Sequence, residues 1–381
     1  MASRAIELLR DYVAIPSVNP MGRDDVPPSI AGEARYAEHV AAQLRAMALD
    51  AVVVGAGDRR SVVAEATAAG ARDTVLVASH LDTVPVDGME IDPFDPRIAN
   101  ERLYGRGACD TKAGMAALVA ALQGVLARGT LRRNVVVVGE ADEELGSAGV
   151  ADVLAHLGGR RPDWVLATEP TSLRVVNEHK GIALARVAAR GVACHGSNPR
   201  AGRNALGLLA RAILAFEELA DELAARPHGA LGPATLSPGI GAGGHAPNIV
   251  PDRAWVVLDR RMVPGETVDG VRAELEAALA RRGLEHVVVE RCESEKGPLG
   301  TPADHVCVRR CRNALAACGA RAELGHVAFG TDAGAFALHG IPGVVMGPGS
   351  IERAHTAAEY VETPEVEAMT RFFTALLESA D

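Results

Sequence analysis

Four acids stand within five residues, Glu140, Asp142, Glu143 and Glu144, directly after a run of valines at 135–138. An unbroken apolar run of that length reads as a strand buried on both faces. Carboxylates at the end of a buried strand are costly to desolvate, and they repel one another. A cation offsets that cost. Adjacent Glu143 and Glu144 can then divide the work, one binding a metal and the other moving a proton. Taken alone, such a run is more often an acidic surface loop.

The rest of the chain changes those odds. His80 follows the apolar stretch 74–79, with Asp82 two residues on. Asp110 closes Gly105-Arg-Gly-Ala-Cys-Asp, Glu169 follows an apolar stretch at 165–168, and His355 sits in Arg353-Ala-His-Thr-Ala-Ala-Glu after the Gly347-Pro-Gly-Ser loop. Singly these are weak signals. A lone His is usually a satisfied core or surface residue, and an Asp before a helix, as Asp110 stands, is usually an N-cap. Their common position past the ends of apolar strands makes a shared site the better reading.

Two His and three carboxylates form a mixed N/O donor set that suits zinc, with cobalt or manganese possible. One carboxylate bridging two ions would give each a His, the bridging Asp and one Glu, and leave a position for water. Two cations about 3.5–4 Å apart lower the pKa of that water and polarise a carbonyl together. The Glu left over is the natural general base, and Asp82 would orient His80. Such an arrangement predicts amide hydrolysis without a covalent intermediate.

The elements that must position these groups alternate. Helical spacing at 4–14 and 33–47 is followed by strands near 51–55, 61–66 and 74–79, a helix at 111–127, the valine strand, a helix at 147–157 and a strand at 164–168. This predicts an α/β layer with a mixed sheet, whose sites lie beyond the strands' carboxyl ends. From about 181 the order becomes strand, helix, strand, strand, helix, strand. That βαββαβ order is a ferredoxin-like α+β unit. It predicts a domain at 181–294 inserted into a catalytic domain formed by 1–180 and 295–381. The last part returns to alternation, with helices at 303–318, 331–339 and 364–379 and strands at 322–328 and 343–346.

At 381 residues, two domains are the natural prior. A net charge of −10 leaves no basic stripe for nucleic acid. The six cysteines form no CxxC pair and read as reduced thiols, Cys307 and Cys311 as helix core. No apolar run reaches membrane-spanning length and no signal segment opens the chain, so a cytoplasmic protein is expected.

These motifs in combination resemble, nearly end to end, the acetylornithine deacetylase and succinyl-diaminopimelate desuccinylase family, which also holds aminoacylases and a glutamate carboxypeptidase. Ser79-His-Leu-Asp-Thr-Val-Pro85 resembles its first ligand motif, Tyr104-Gly-Arg-Gly-Ala-Cys-Asp-Thr-Lys112 its bridging-Asp motif, and Thr168-Glu-Pro-Thr171 and Ala354-His-Thr-Ala-Ala-Glu-Tyr360 two further ligand motifs. The resemblance implies one ion on His80 and Glu169, another on Glu144 and His355, Asp110 bridging, Glu143 as base and Asp82 in support. It also implies that His195, in Gly191-Val-Ala-Cys-His-Gly-Ser-Asn-Pro199, stabilises the oxyanion in a partner subunit's site. Gly196-Ser197 departs mildly from the family's small pair there. Asn248 would contact substrate, and Arg261 would meet the substrate carboxylate as a bidentate clamp. For Arg261 the alternative is a structural ion pair with Asp259 or Glu266.

The expected activity is therefore deacylation of an N-acyl amino acid by a homodimer joined through the inserted domain. Acetylornithine-like substrates come first, succinyl-diaminopimelate second, and dipeptides or carboxypeptidase substrates after them. A catalytically inactive, metal-stabilised binding protein is the alternative of another class, and it would show a lost ligand or base, which this sequence does not. Gly347-Pro-Gly-Ser lacks the Lys and the spacing of a phosphate loop. It reads instead as a substrate-facing loop whose backbone amides meet a carboxylate.

Overall fold

The computed structural model describes residues 3–380. The chain divides into two compact units. The first runs to Asn177 and resumes at Thr301–Gly325 and from Thr331; the second is Glu178–Gly300 with His326–Gly330. The second unit is wider than 181–294 because Leu299 and Gly300 pair with His179 and Glu178. The segment 326–330 joins it because Gly330 lies against Lys180, Ile182 and Lys296.

The larger sheet, mostly in the first unit, runs in the order Val52–Ala56, Arg59–Ala66, Asn134–Gly139, Thr74–Ala78, Trp164–Ala167, Gly343–Val345, Val175–His179 and Leu299–Gly300. The four strands from Asn134–Gly139 to Gly343–Val345 are mutually parallel, and the flanking strands are antiparallel. The sheet is therefore mixed. Val135, Val137, Leu76, Val77, Val165 and Leu166 are at most 1 % exposed, as continuous apolar strands of a covered parallel sheet require. The helix Lys112–Arg128 is buried around most of its surface. Its alanines let it lie close to Arg4–Val13 and Thr363–Glu378, and it stops at Gly129 in the left-handed conformation (φ 65°). A small sheet that the sequence pattern did not reveal joins Arg97–Ala99, Arg102–Tyr104 and Tyr360–Glu362. Its strands are too short to show a period, yet it ties the chain before Asp110 to the chain after His355.

In the second unit Thr235–Gly243, Arg253–Met262, Gly181–Arg190 and Val287–Lys296 form an antiparallel sheet in that order. Ala183, Ala185, Val187, Ala254, Val256 and Leu258 share one core with the helices Ala205–Ala224 and Val268–Arg281. This is the ferredoxin-like arrangement. Among the described residues all six cysteines are free, with Cys307 and Cys311 buried in the helix Val306–Ala317. No helix among them is long and apolar enough to cross a membrane.

Two consequences are measurable. A Cβ at Gly149 would stand 2.4 Å from Ala141 N and 2.5 Å from Ala141 O. Ala gains roughly 1 kcal/mol over Gly in a helix interior, but overpacking against rigid backbone costs roughly 1–3 kcal/mol. We expect Gly149→Ala to lower the urea midpoint, and an unchanged or raised midpoint refutes the clash.

His179 is fully buried, its Nδ1 donates to the Lys180 carbonyl at 2.9 Å, and burial holds its pKa down at about 4. Unfolding restores the ordinary value near 6.5, so the unfolded chain binds more protons between the two. Stability on the order of 3 kcal/mol is then present above pH 6.5 and lost as pH falls towards 4. His179→Gln should flatten the stability profile in that window; an equal slope in the variant shows that other groups cause it.

Candidate metal centre

Strand register delivers the ligands. Ala78 lies opposite Val138 on one side and Ala167 on the other. His80, Glu140 and Glu169 therefore each stand two residues beyond one level line at the carboxyl edge. Ser79 N to Val138 O (3.0 Å), Leu81 N to Glu140 O (2.7 Å) and Thr168 N to Ala78 O (2.8 Å) carry the pairing past the strand ends. A charged loop is thereby held as firmly as a strand.

Two donor groups result. One ligand atom each from His80, Asp110 and Glu169, and one each from Asp110, Glu144 and His355, lie within 4.8 Å of one another. Asp110 belongs to both. Its Oδ1 faces His80 Nε2 at 2.9 Å and its Oδ2 faces His355 Nε2 at 3.2 Å. His355 Nε2 also meets Glu144 Oε1 at 3.1 Å, and His80 Nε2 lies 4.0 Å from Glu169 Oε1. Asp110 thus faces two histidines rather than capping the helix that follows; at the cap position, Thr111, no side-chain cap bond is made.

Glu143 stands in neither group. The residue is 7 % exposed, and its backbone N–H donates to Asp82 Oδ1 at 3.0 Å. Glu144 N donates to Asp82 Oδ2, also at 3.0 Å. Asp82 holds both backbone amides of the acidic pair. His80 Nδ1 donates to the Asp82 main-chain carbonyl at 3.0 Å and lies 3.5 Å from its carboxylate, so backbone and side chain both orient the ring and leave Nε2 as the ligand atom.

The electrostatics ask for a cation. Among the described residues, Asp110 and Glu144 find imidazoles rather than Lys or Arg within salt-bridge distance. Burial opposes a charged His80, but hydrogen bonds to Asp110 and Asp82 outweigh it and raise its pKa well above the ordinary value. Hydrogen bonds to Asp110 and then Glu144 push His355 up to about 10. Burial pushes Glu144 up to about 7. Burial would raise Asp110 as well, yet the two imidazoles hold it below the usual carboxylate range. Protons are the counter-charges here, and a divalent ion replaces protons on such donors. Ligand atoms that share one ion at about 2.0–2.2 Å lie roughly 3–3.5 Å apart. The separations of Asp110 from His80 and His355 and of Glu144 from His355 fit, and His80 and Glu169 stand wider at 4.0 Å.

Some participants were not singled out from the sequence. Glu359, fully buried, takes Arg106 Nη1 at 2.7 Å on one oxygen and the backbone N–H groups of Cys109 (2.9 Å) and Asp110 (3.1 Å) on the other. The His355-to-Glu359 spacing within one motif was the available signal. Asn19 and Arg59 also reach the acidic turn, and nothing local in the sequence marks them.

Gly347 has a different place from the one expected. Its N–H donates to Thr171 Oγ1 at 3.2 Å, and Gly349 N donates to Glu365 Oε2 at 2.6 Å. These amides are committed within the fold, so they do not meet a substrate carboxylate. A Cβ at 347 would fall 2.6 Å from Glu169 O, so glycine lets this loop back the candidate ligand Glu169 directly. The remaining candidates lie in the second unit. Arg261 forms a two-point pair with Asp259 (Nε to Oδ1 2.8 Å, Nη2 to Oδ2 3.0 Å), and its neighbour Arg260 is buried against Glu266 and Glu274. Asn248 is exposed, and its carbonyl accepts from Gly196 N at 2.7 Å. His195 is exposed on the same loop pair, bridged to Ile249.

Fold and donor set together define a metal-dependent hydrolase. The chain belongs to the peptidase family M20/M25/M40, whose model matches residues 76–379. It is 33 % identical over 297 residues to the acetylornithine deacetylase of Klebsiella pneumoniae strain 342, covering 76 % of each chain. Its fold is similar to that of an M20 family metallo-carboxypeptidase from Sulfolobus solfataricus (TM-score 0.77, 20 % identity, 99 % of both chains). It is also similar to a dinuclear metal binding peptidase of the M20 family from Bacillus subtilis (TM-score 0.69, 17 % identity, 98 % of this chain and 97 % of that one).

Proposed function

We propose that the protein removes the acyl group from an N-acyl amino acid, with acetylornithine-like substrates first. The observation that carries this reading is Asp110 shared between two donor groups, with the buried Glu143 beside them in neither. The donors would hold two divalent ions, zinc first and cobalt or manganese in its place. His80, Asp110 and Glu169 would bind one, and Asp110, Glu144 and His355 the other. Such ions make a water acidic and polarise a carbonyl. Glu143 takes the proton of the attacking water and returns it to the leaving amine, which is why its carboxylate must stay off the metals. Likeness to the Klebsiella acetylornithine deacetylase supports the acyl-amino-acid substrate class.

His195 supports an oxyanion role through its tautomer. Ser197 N donates to His195 Nδ1 at 3.1 Å. In the neutral ring the proton then sits on Nε2, leaving that nitrogen as the donor an oxyanion would need. Its site would be that of a second copy, and Thr235–Gly243, an edge strand bearing Ile240 at 66 % exposure, offers the pairing surface. Arg261 would exchange Asp259 for a substrate carboxylate, and Asn248 would contact the substrate from the neighbouring loop.

The test is hydrolysis of N-acetylornithine, N-succinyl-diaminopimelate, other N-acyl amino acids and dipeptides by zinc- or cobalt-loaded protein, with chelated protein as control. Metal-dependent release of the amine from an N-acyl amino acid is the expected result. Cleavage of dipeptides alone would overturn the substrate class. A monomeric fraction with undiminished turnover would overturn the role of His195.

A further inference from the structure

The acidic turn is connected to the protein surface by a short chain of polar side chains that ends at the metal-side histidine. Asn19, 3 % exposed, lies in the loop after the first helix. Its Nδ2 donates to Asp82 Oδ2 at 2.9 Å and to Asp142 Oδ1 at 3.0 Å. Its own Oδ1 accepts from Met21 N at 2.9 Å, and its backbone N–H donates to Thr83 O at 2.8 Å. Carboxylates on one side and a backbone N–H on the other fix which end of the amide is which. Asp142, also 3 % exposed, opens the turn in the left-handed region (φ 69°) and receives Arg59 Nη1 on its Oδ2 at 2.9 Å. Arg59 itself is 60 % exposed.

Two buried carboxylates flanking one another repel unless donors stand between them. Asn has two N–H groups on one nitrogen and no charge, so it can serve both at once. Asp82 in turn holds the backbone N–H groups of Glu143 and Glu144 and faces His80. We propose that Asn19 and Arg59 are positioning residues for the metal centre. Asn19 locks Asp142 to Asp82, and Arg59 supplies the charge that keeps Asp142 in its left-handed turn. Through these contacts the base and the Glu144 ligand are set against His80. Displacements of about 1 Å in such a site can cost roughly 100-fold in rate.

This inference rests on the metal-hydrolase reading above. The test uses full-length protein and four variants, Asn19→Ala, Arg59→Met, Arg59→Lys and the double variant Asn19→Ala/Arg59→Met. The readouts are cobalt and zinc affinity by titration calorimetry, the absorption spectrum of the cobalt form, kcat and KM, and the thermal midpoint. Asn19→Ala should lower kcat by about 10- to 100-fold with KM nearly unchanged, weaken metal binding by a similar factor and alter the cobalt spectrum. Arg59→Met, at a side chain 60 % exposed, should move kcat and the spectrum the same way by about 3- to 10-fold, and Arg59→Lys should restore most of it. The double variant should lose less than the product of the two single losses, because both act on Asp142.

Wild-type kcat, metal affinity and cobalt spectrum in Asn19→Ala overturn the proposal. So does a lower thermal midpoint with full turnover per folded molecule, since that is a structural role only. If Asn19→Ala does not fold, a wild-type Arg59→Met by every readout overturns it. Wild-type protein that takes up no divalent ion sinks the metal-hydrolase reading itself, whereas two bound ions and unchanged variants sink this inference alone.

Discussion

Glu143→Gln will keep both donor groups and lose hydrolysis. Gln fills the same space and keeps the backbone N–H that Asp82 accepts. It removes only the carboxylate that can take and return a proton. A well-placed acid–base group contributes about 10²- to 10⁴-fold, and kcat should fall by that factor with KM little changed. Metal content should stay as in the wild type, because Glu143 is in neither ligand group. Glu144→Gln should behave oppositely. It removes the negative charge that, with Asp110 and His355, would hold one ion, so metal binding should fail first and added metal should recover part of the rate. Assays of metal content beside kcat decide between the two roles. Equal metal content and equal rates in the two variants would remove the division of labour between adjacent residues.

The largest stability effect should come from Glu359. Arg106 and Glu359 form a buried ion pair at 2.7 Å, with side chains 3 % and 0 % exposed. Breaking such a pair by removing one partner costs roughly 3–5 kcal/mol, because the other charge remains buried and unmatched. Glu359→Ala also frees two backbone N–H groups, those of Cys109 and Asp110, and Asp110 is common to both candidate donor groups. We expect a fall in unfolding free energy of that size and a 10- to 100-fold loss of metal affinity. Urea unfolding of metal-loaded and chelated protein measures both. The double variant Arg106→Met/Glu359→Gln should recover part of the stability, since no buried charge is then stranded. A double variant less stable by the full sum of its two single losses would show that the residues act independently.

The same two motifs show how far local pattern reaches. The valine run, the acids after it and the His–x–Asp after the next strand carry their chemistry in residue type and spacing. Alternation of strands and helices located the carboxyl edge of the sheet, and the βαββαβ order marked the second unit. These signals are legible because periods of two and 3.6 residues are local. The case for a cation was legible only in combination: the acidic run alone reads as a surface loop, and His80, Asp110, Glu169 and His355 past other strand ends turn it towards a metal site.

What folds over long separations was not legible. His80 reaches Asp110 over 30 residues and Glu144 reaches His355 over 211, and strand register and the small three-stranded sheet settle those meetings. Donor direction was also beyond the sequence. The sequence suggests Asp82 as an orienter of His80, and the folded chain also makes it the anchor of the Glu143 and Glu144 amides. The loop sequence suggests that Gly347 faces substrate, but the chain path turns its N–H to Thr171 and sets its Cα against Glu169. Arg261, offered either partner, is drawn to Asp259 because the two stand on one face of one strand, while Arg260, one residue back, faces the helices and finds Glu266 and Glu274. The sequence by itself determined which chemistry was available and at which edge. Only the tertiary structure decided which groups share it, because hydrogen bonds are directional and the backbone that aims them is placed by register between distant strands.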